Sequence, residues 1–430
     1  MSGLLDLVHP LPLDQGSARD LSARLADTLA VPPPHPDLAG IDPDSPRWDG
    51  QSLSCGHPGI AILHGTRARD NVSPWSRAAA WFAAATKEPL AAAGGAGLWH
   101  GAPALGFALH AAALPEHAAH LLKQLDHVVT EMVQRQLGDA AKRMAASLRP
   151  VPGEFDLVRG LTGLGAYLLA RDPSYPALRD VLACLVRLTV PIPAADAAGT
   201  EVPGWWTLHM PVGKPVELFA DGYSDQGMAH GISGPLALLS LAYRARVIVP
   251  GQAEAIATIT SWLDRVQQVD EAGPWWPERL TLTDLRTQRS HQDGPARPSW
   301  CYGTPGIARA LQLAALAQGD SRRQRHAEHA LLACVTDHHQ LDRLADLTLC
   351  HGWSGLITTV WTATTDSLSP MLGLQLSALI TAAGNRSLPV PERPGLIDGT
   401  AGLALTQHSI ATGRLGPWTN CLLLTGTEPT

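Results

Sequence analysis

His230-Gly231-Ile232-Ser233-Gly234 runs directly into the apolar stretch Pro235 to Leu241, and this pairing of a two-glycine turn with an apolar helix decides the fold. The arrangement recurs along the chain, and the first glycines of its seven copies are Gly56, Gly101, Gly160, Gly231, Gly303, Gly352 and Gly399. In the second copy, Ala104 replaces the second glycine. Self-similarity of this kind is the signature of a repeat architecture, and glycine at a helix head permits a tight turn. The sequence therefore predicts seven helical hairpins.

Between the motifs lie segments with apolar residues at three- and four-residue steps, as in residues 117–149. This spacing predicts amphipathic helices that alternate with the glycine-headed ones. A closed ring of inner and outer helices would bury every repeat, because a ring leaves no exposed edge. We therefore expect one all-α domain over residues 1–430.

Two stretches rich in proline and tryptophan, residues 190–223 and 271–299, interrupt the helical pattern. Long loops inside a compact domain are often functional. We expect the first stretch to be a loop-rich insertion beside the cavity. Trp205 and Trp206 are either exposed residues that contact a peptide or residues that anchor the insertion to the ring, and composition leaves both interpretations open.

The composition excludes several classes of protein. Of 430 residues, 45% are hydrophobic and 17% are charged, which is typical of an ordered globular protein. The net charge is -7, and no basic block is present, so nucleic acid is not an expected partner. The Met1–Asp6 terminus lacks the pattern of a signal peptide, and no apolar run is long enough to span a membrane. We expect a cytoplasmic protein, and the richness in Ala, Gly, Pro and Arg is typical of a GC-rich bacterium.

Three metal-binding side chains precede two of the repeat glycines. Cys301 lies two residues before Gly303, and Cys350-His351 lies directly before Gly352. Because equivalent positions of a ring of repeats line the same end of its cavity, these side chains are expected to converge. Two thiolates and one imidazole suit tetrahedral zinc with one open position, the pattern of a catalytic site.

Three of the other cysteines do not lie beside a repeat glycine. Cys184, Cys334 and Cys421 are interpreted as buried thiols. Cys55 also lies at a repeat head, so its approach to the metal stays open. A fourth protein ligand such as Cys55 would favour a structural zinc site instead.

The stretches Trp300–Gly306 (Trp-Cys-Tyr-Gly-x-Pro-Gly), Cys350–Gly352 and Ala229–Gly234 (Ala-His-Gly-Ile-x-Gly) together resemble the lanthionine synthetase C family. With seven glycine motifs, the resemblance covers nearly the whole chain. It implies a double α/α toroid of seven inner and seven outer helices, with loop-rich insertions. It also implies zinc bound by two cysteines and one histidine, which match Cys301, Cys350 and His351.

Four catalytic residues are implied by the same resemblance, namely His230, Asp156, Arg297 and Tyr302. His230 matches the histidine of the Ala-His-Gly motif, and Asp156 matches the aspartate before the third glycine motif. Each has a plainer interpretation: a core histidine, a helix cap, an exposed loop arginine and a packing tyrosine, respectively.

The implied activity is that of a lanthipeptide cyclase, which adds cysteine thiols to dehydroalanine or dehydrobutyrine in a dehydrated precursor peptide. His230 would supply the proton, and Asp156 would orient the His230 ring or keep it charged. His230 or Arg297 would stabilise the enolate. Because the repeats occupy the 430 residues, we expect a separate dehydratase, and with it an exporter, as partners in a biosynthetic complex.

Three alternatives remain open. A relative of the cyclases could add glutathione to dehydrated residues of damaged proteins. A non-catalytic zinc scaffold could grip a peptide without reacting with it. A toroidal glycosidase would need two facing carboxylates, and only Asp156 is well placed for this.

Overall fold

The computed structural model describes residues 15–33, 49–113, 115–194, 199–209 and 217–425. The Met1–Asp6 terminus and residues 195–198 and 210–216 of the predicted insertion lie outside these ranges.

Helices dominate the described part of the chain. They are α1 (Gln15–Thr28), α2 (His57–Arg69), α3 (Trp75–Ala85), α4 (Ala102–Ala112), α5 (Pro115–Ala145), α6 (Pro152–Phe155), α7 (Leu161–Arg171), α8 (Pro176–Arg187), α9 (Ser233–Arg244), α10 (Gln252–Val266), α11 (Leu282–Thr287), α12 (Thr304–Gln318), α13 (Ser321–Thr336), α14 (His338–Leu341), α15 (Trp353–Thr365), α16 (Met371–Gly384) and α17 (Thr400–Thr412). Short 3₁₀ turns lie at Asp49–Gln51, Glu217–Phe219 and Pro417–Leu422.

The strands are short and form three antiparallel pairs within the described residues. They are β1 (Ile192–Pro193), β2 (Glu201–Val202), β3 (Tyr223–Asp225), β4 (Gln268–Val269), β5 (Pro274–Trp275) and β6 (Arg279–Thr281). The pairs are β1 with β2, β3 with β6, and β4 with β5.

Each glycine motif is followed by one helix, as the sequence predicts. These helices are α2, α4, α7, α9, α12, α15 and α17. They are buried on nearly every side: in α17, all residues from Thr400 to Ala411 are buried. An apolar helix without a polar face belongs in the interior of a fold, which explains the small and aliphatic residues after each motif.

The second glycine of the motif is required by close backbone packing. A Cβ atom at Gly306 would collide with the carbonyl oxygen of Trp300, and one at Gly355 would collide with that of Leu349. In both cases the carbonyl belongs to the residue six positions earlier, so the motif folds back over the first turn of its own helix. The repeated glycines therefore set the shape of each helix head.

The intervening helices are amphipathic and cover the glycine-headed ones. In α8 the buried side chains include Leu178, Val181, Leu182 and Leu185, at helical spacing. The segment predicted at 117–149 is α5, which spans Pro115–Ala145. The covering helix of α17 is α1, from the other end of the described chain, and the Ser22 hydroxyl donates a 2.9 Å hydrogen bond to the Ala404 carbonyl.

The chain divides into two compact units. In the unit that contains α7, α9 and α12, backbone hydrogen bonds join successive helix heads. The Leu157 N–H donates to the Ala229 carbonyl over 3.1 Å, and the Met228 N–H donates to the Cys301 carbonyl over 2.8 Å. Three consecutive heads are thereby held in register.

In the unit that contains α2, α4 and α17, backbone hydrogen bonds also join the segments that precede the helices. The Cys350 N–H donates to the Ile397 carbonyl over 2.9 Å, and the Ile397 N–H donates to the Ser54 carbonyl over 3.0 Å. The Leu53 N–H donates to the Trp99 carbonyl over 2.9 Å. Residues just before the repeat glycines are consequently fixed by backbone bonds as well as by packing.

Of the two interpretations of Trp205 and Trp206, exposure to a peptide is wrong and anchoring of the insertion agrees with the structure. Their side chains are 2% and 0% exposed, respectively. The Trp205 indole N–H donates to the Ser224 hydroxyl over 2.8 Å, and that of Trp206 donates to the Asp221 carbonyl over 3.0 Å. Because burying a large aromatic ring is strongly favourable, these residues anchor the insertion rather than extend from it.

None of the helices in the described ranges combines the length and apolarity that crossing a bilayer requires.

Candidate metal centre and active site

Three soft ligands come together as the sequence predicts. The ligand atoms of Cys301, Cys350 and His351 all lie within 4.8 Å of one another. Cys301 precedes α12 and is buried, whereas the Cys350-His351 pair precedes α15 and is half-buried. Within the described ranges, no other cluster of three or more such side chains occurs, and Cys55 does not join this one. Two sulfurs and one imidazole match the donor set of catalytic zinc, which leaves a position for a further ligand.

Carboxylates flank the His351 ring. Asp346 Oδ2 lies 3.4 Å from His351 Nε2, and Asp398 Oδ1 lies 3.8 Å from His351 Nδ1. Asp346 is itself held in place, since its Oδ1 accepts the N–H of Thr348 over 2.8 Å and the Thr348 hydroxyl over 2.6 Å. A carboxylate beside a metal-binding imidazole fixes the ring orientation and the tautomer.

His230 pairs with Asp156. His230 Nδ1 lies 2.7 Å from Asp156 Oδ2, and the Asp156 side chain is only 3% exposed. The other oxygen of Asp156 accepts the backbone N–H groups of Arg159 and Gly160. One carboxylate thus closes the loop before α7 and holds the imidazole that precedes α9.

The environment favours the protonated form of His230. Burial by itself would lower the pKa of His230. The hydrogen bond to Asp156 and the negative charges of Asp156, Asp225 and Cys301 outweigh this effect and raise the pKa above its usual value. A histidine whose pKa is raised in this way is suited to donate a proton near neutral pH.

Tyr302 lies next to His230. The two rings stack with centroids 6.3 Å apart and planes inclined by 29°. The Arg279 Nη2 group donates to the Tyr302 hydroxyl over 3.3 Å. Burial and the nearby Asp225 carboxylate raise the pKa of Tyr302, so its phenol stays protonated. Tyr302 can therefore donate a hydrogen bond but cannot act as a base.

A model of the family described as "Lanthionine synthetase C-like protein" matches residues 47–423. The chain belongs to this family. A curated relative, "Nisin biosynthesis protein NisC" of Lactococcus lactis subsp. lactis, is 24% identical over 214 residues. That alignment spans about half of each protein, 48% of this chain and 48% of the relative.

A solved structure named "Nisin cyclase" has the same fold. It superposes with a TM-score of 0.72 at 18% identity and covers 95% of this chain and 97% of its own. The likeness confirms the predicted fold class, the all-α double toroid of the lanthionine synthetase C-like family.

Of the four catalytic residues that the family resemblance implies, the structure brings three together. His230 contacts Asp156 and stacks on Tyr302. Arg297 is exposed in the loop before α12. Its backbone carbonyl packs against the position of Gly303, so the residue has a structural place in the helix head, while its catalytic role stays a prediction.

Arg279 and Asp225 were missed by the sequence analysis. Arg279 Nε lies 3.4 Å from Asp225 Oδ2, and these side chains are 23% and 3% exposed, respectively. Asp225 precedes the His230 motif by a few residues, which offered a local signal. No local sequence signal marks Arg279, because the pairing of β6 with β3 is what brings it to the site.

The cysteines interpreted as buried thiols are poor ligands here. Burial, with the charge of Glu154, raises the pKa of Cys184 to about 11. Burial also raises the pKa values of Cys334 and Cys421. Because a thiolate is the reactive and metal-binding form, these three groups stay protonated and inert.

Proposed function

We propose that this protein is a zinc-dependent lanthipeptide cyclase, which adds cysteine thiols to dehydroalanine or dehydrobutyrine within a dehydrated precursor peptide. The observation that carries the proposal is the approach of the Cys301, Cys350 and His351 ligand atoms to within 4.8 Å of one another. Membership of the lanthionine synthetase C-like family supports it.

The donor set fits a catalytic zinc ion, since two sulfurs and one nitrogen fill three of the four positions of tetrahedral zinc and leave one for a substrate thiol. When bound, zinc supplies the chemistry that a free thiol lacks at neutral pH, because coordination lowers the thiol pKa far below its ordinary value of about 8.5.

The proton balance of the addition assigns a task to His230. The substrate thiol would first release its proton to solvent. The thiolate sulfur would then bond to the β-carbon, the electrons of the double bond would move onto the neighbouring carbonyl oxygen, and the resulting enolate would take a proton at the α-carbon. His230 would donate this proton, and Asp156 would keep the imidazole oriented and charged through the 2.7 Å contact. A proton from solvent would restore the charged imidazole after each addition. Tyr302 would donate a hydrogen bond to the enolate oxygen.

The partners follow from this chemistry. The substrate must already contain dehydrated serine or threonine, so a dehydratase acts before this protein, and we propose that both belong to one cytoplasmic biosynthetic complex.

A direct test uses the zinc-loaded protein and a synthetic peptide with one dehydroalanine and one cysteine. Ring formation leaves the mass unchanged but removes the free thiol, so alkylation followed by mass spectrometry counts unreacted peptide. We expect the wild type to accelerate loss of the thiol, and Cys301→Ala to abolish the acceleration. Cys184→Ala is the matched control, because this half-buried thiol lies away from the cluster in α8.

The same assay separates the alternatives. A scaffold would bind the peptide without accelerating thiol loss, and that result would refute the proposal. Added glutathione would increase the peptide mass if the protein joined it to dehydroalanine, and a preference for this product over the ring would favour the alternative activity.

A further inference from the structure

The position of Arg279 is set by a pairing of strands that lie far apart in sequence. In the β3–β6 ladder, Arg279 lies directly opposite Asp225. Asp225 ends β3, and the chain continues from there into the loop that carries His230. The ladder therefore ties the Arg279 side chain to the backbone that positions the proposed acid.

Asp225 and Tyr302 are among the residues that hold the guanidinium group. Its Nε lies 3.4 Å from Asp225 Oδ2, and its Nη2 donates to the Tyr302 hydroxyl over 3.3 Å. The central carbon of the group also lies 5.1 Å from the centroid of the Tyr302 ring. A planar guanidinium can make an ion pair and a ring contact at the same time, which an ammonium group does less well.

The Tyr302 ring also lies close to backbone. A Cβ atom at Gly227 would collide with the Tyr302 ring and with the Cys301 carbonyl, so glycine there lets the ring lie close to the loop. The His230 ring is a further neighbour of Tyr302. Tyr302 thus contacts both the proposed proton donor and Arg279, one residue from a proposed metal ligand.

We propose that Arg279 is a positioning residue of the cyclisation, which acts through Tyr302 by orienting its hydroxyl toward the enolate oxygen and which, separately, cancels the charge of Asp225. The inference rests on the proposed function. No proton leaves Tyr302 in this role, since the α-carbon takes its proton from His230.

Electrostatics explains why both effects matter. A hydrogen bond received by the phenol oxygen polarises its O–H group and strengthens its donation to a substrate oxygen. An unpaired carboxylate at Asp225 would repel the negative charge that develops on the enolate. Arg279 meets both needs at once, whereas Arg297, which the family resemblance implies, is exposed to solvent.

The test must avoid leaving a buried carboxylate unpaired, because Arg279→Gln alone would strand Asp225 and could fail to fold. We therefore choose the double variant Asp225→Asn/Arg279→Gln, which removes both charges and keeps an acceptor for the Gly227 N–H. Arg289→Gln is the matched control, because Arg289 is exposed in the same part of the chain.

In the cyclisation assay, we expect the double variant to keep its zinc and to lose kcat on the order of 10²-fold, with little change in KM. Tyr302→Phe should lose a similar factor. The triple variant should be no slower than Asp225→Asn/Tyr302→Phe. Both carry Asp225→Asn, which also removes a negative charge that favours the protonated form of His230, and a residue that acts through Tyr302 has no effect once the hydroxyl is gone. If Arg279→Gln still slows the reaction in that background, Arg279 does not act through Tyr302 and the proposal is wrong.

A second measurement does not depend on activity. The chain has five tyrosines, so carbon-13 labelling at Cζ gives few resonances, and Tyr302→Phe identifies that of Tyr302. We expect this resonance to shift in Asp225→Asn/Arg279→Gln and to stay in place in Arg289→Gln. An unmoved resonance would overturn the positioning role. If the resonance shifts in the double variant but the wild type forms no rings in the cyclisation assay, the failure lies in the proposed function.

Discussion

His230 Nδ1 lies 2.7 Å from Asp156 Oδ2, although the two residues are 74 positions apart. The second oxygen of Asp156 accepts the N–H groups of Arg159 and Gly160 over 2.7 and 2.9 Å. The sequence left two interpretations of Asp156, a helix cap and an orienting carboxylate. The N–H groups it accepts precede the first residue of α7, so Asp156 closes the loop before this helix rather than capping it, while its other oxygen contacts His230.

Asp156→Asn separates these two roles. The Asn carbonyl oxygen still accepts the two backbone N–H groups, but its amide donates to His230 Nδ1 and disfavours the charged imidazole. We expect the cyclisation rate to fall by about 10²–10⁴-fold, while the unfolding temperature stays near that of the wild type. Thermal unfolding and the thiol-alkylation assay decide this. A rate close to wild type would leave Asp156 with only its contacts in the loop before α7.

Cys301→Ala is expected to lose bound zinc, because two remaining ligands hold the ion poorly. Metal analysis of the purified protein, together with its far-ultraviolet circular dichroism, measures both zinc and fold. Cys184→Ala should keep a full equivalent of zinc. Burial raises the pKa of the Cys184 thiol to about 11, so this thiol stays protonated. Full zinc occupancy in Cys301→Ala would show that the ligand set is wrong.

Asp346→Asn tests the carboxylate beside His351. The substitution keeps an oxygen for the Thr348 N–H but removes the negative charge 3.4 Å from His351 Nε2. We expect zinc to bind about 10–100-fold more weakly, as measured by competition with a chromogenic chelator. The control is Asp264→Asn, which only breaks an exposed ion pair with Arg323. Equal affinities of the two variants would contradict the prediction.

The part of the site that lies in repeated motifs could be predicted from sequence. Four candidate residues lie one or two positions before a repeat glycine, namely Cys301, Cys350, His351 and His230. Arg279 could not be predicted in this way, because strand pairing over more than fifty residues leaves no local pattern. That α1 covers α17 could not be predicted either, because these helices lie at opposite ends of the described chain and no local pattern links them.

Composition predicted that residues 190–223 form an insertion, but not which side chains it buries. Trp205→Ala should therefore act on stability. The ring is 2% exposed and packs edge-on against Trp262 at 5.8 Å. We expect a loss of about 3–5 kcal/mol in the free energy of unfolding, measured with urea. Leu208→Ala, at a position 51% exposed in the same insertion, should change it little. Comparable losses would indicate that the ring is not an anchor.

A pH prediction concerns His64, a fully buried residue of α2. Its Nε2 lies 2.6 Å from the Leu29 carbonyl oxygen, and burial is the main reason that its pKa falls from 6.5 to about 4. The unfolded chain therefore binds this proton more readily than the folded protein does. The stability that the neutral ring contributes is present above about pH 6.5 and is lost as the pH falls toward 4.

His64→Gln keeps an N–H donor for the Leu29 carbonyl but cannot be protonated. Between about pH 7 and pH 5, we expect the wild type to lose about 2 kcal/mol more unfolding free energy than this variant does. Urea unfolding at the two pH values gives the four free energies, and their double difference removes the contributions of other histidines, such as His408, that both proteins share. A double difference near zero would mean that His64 keeps its ordinary pKa in the folded protein, and that the surroundings of its ring admit enough water to accept the charge.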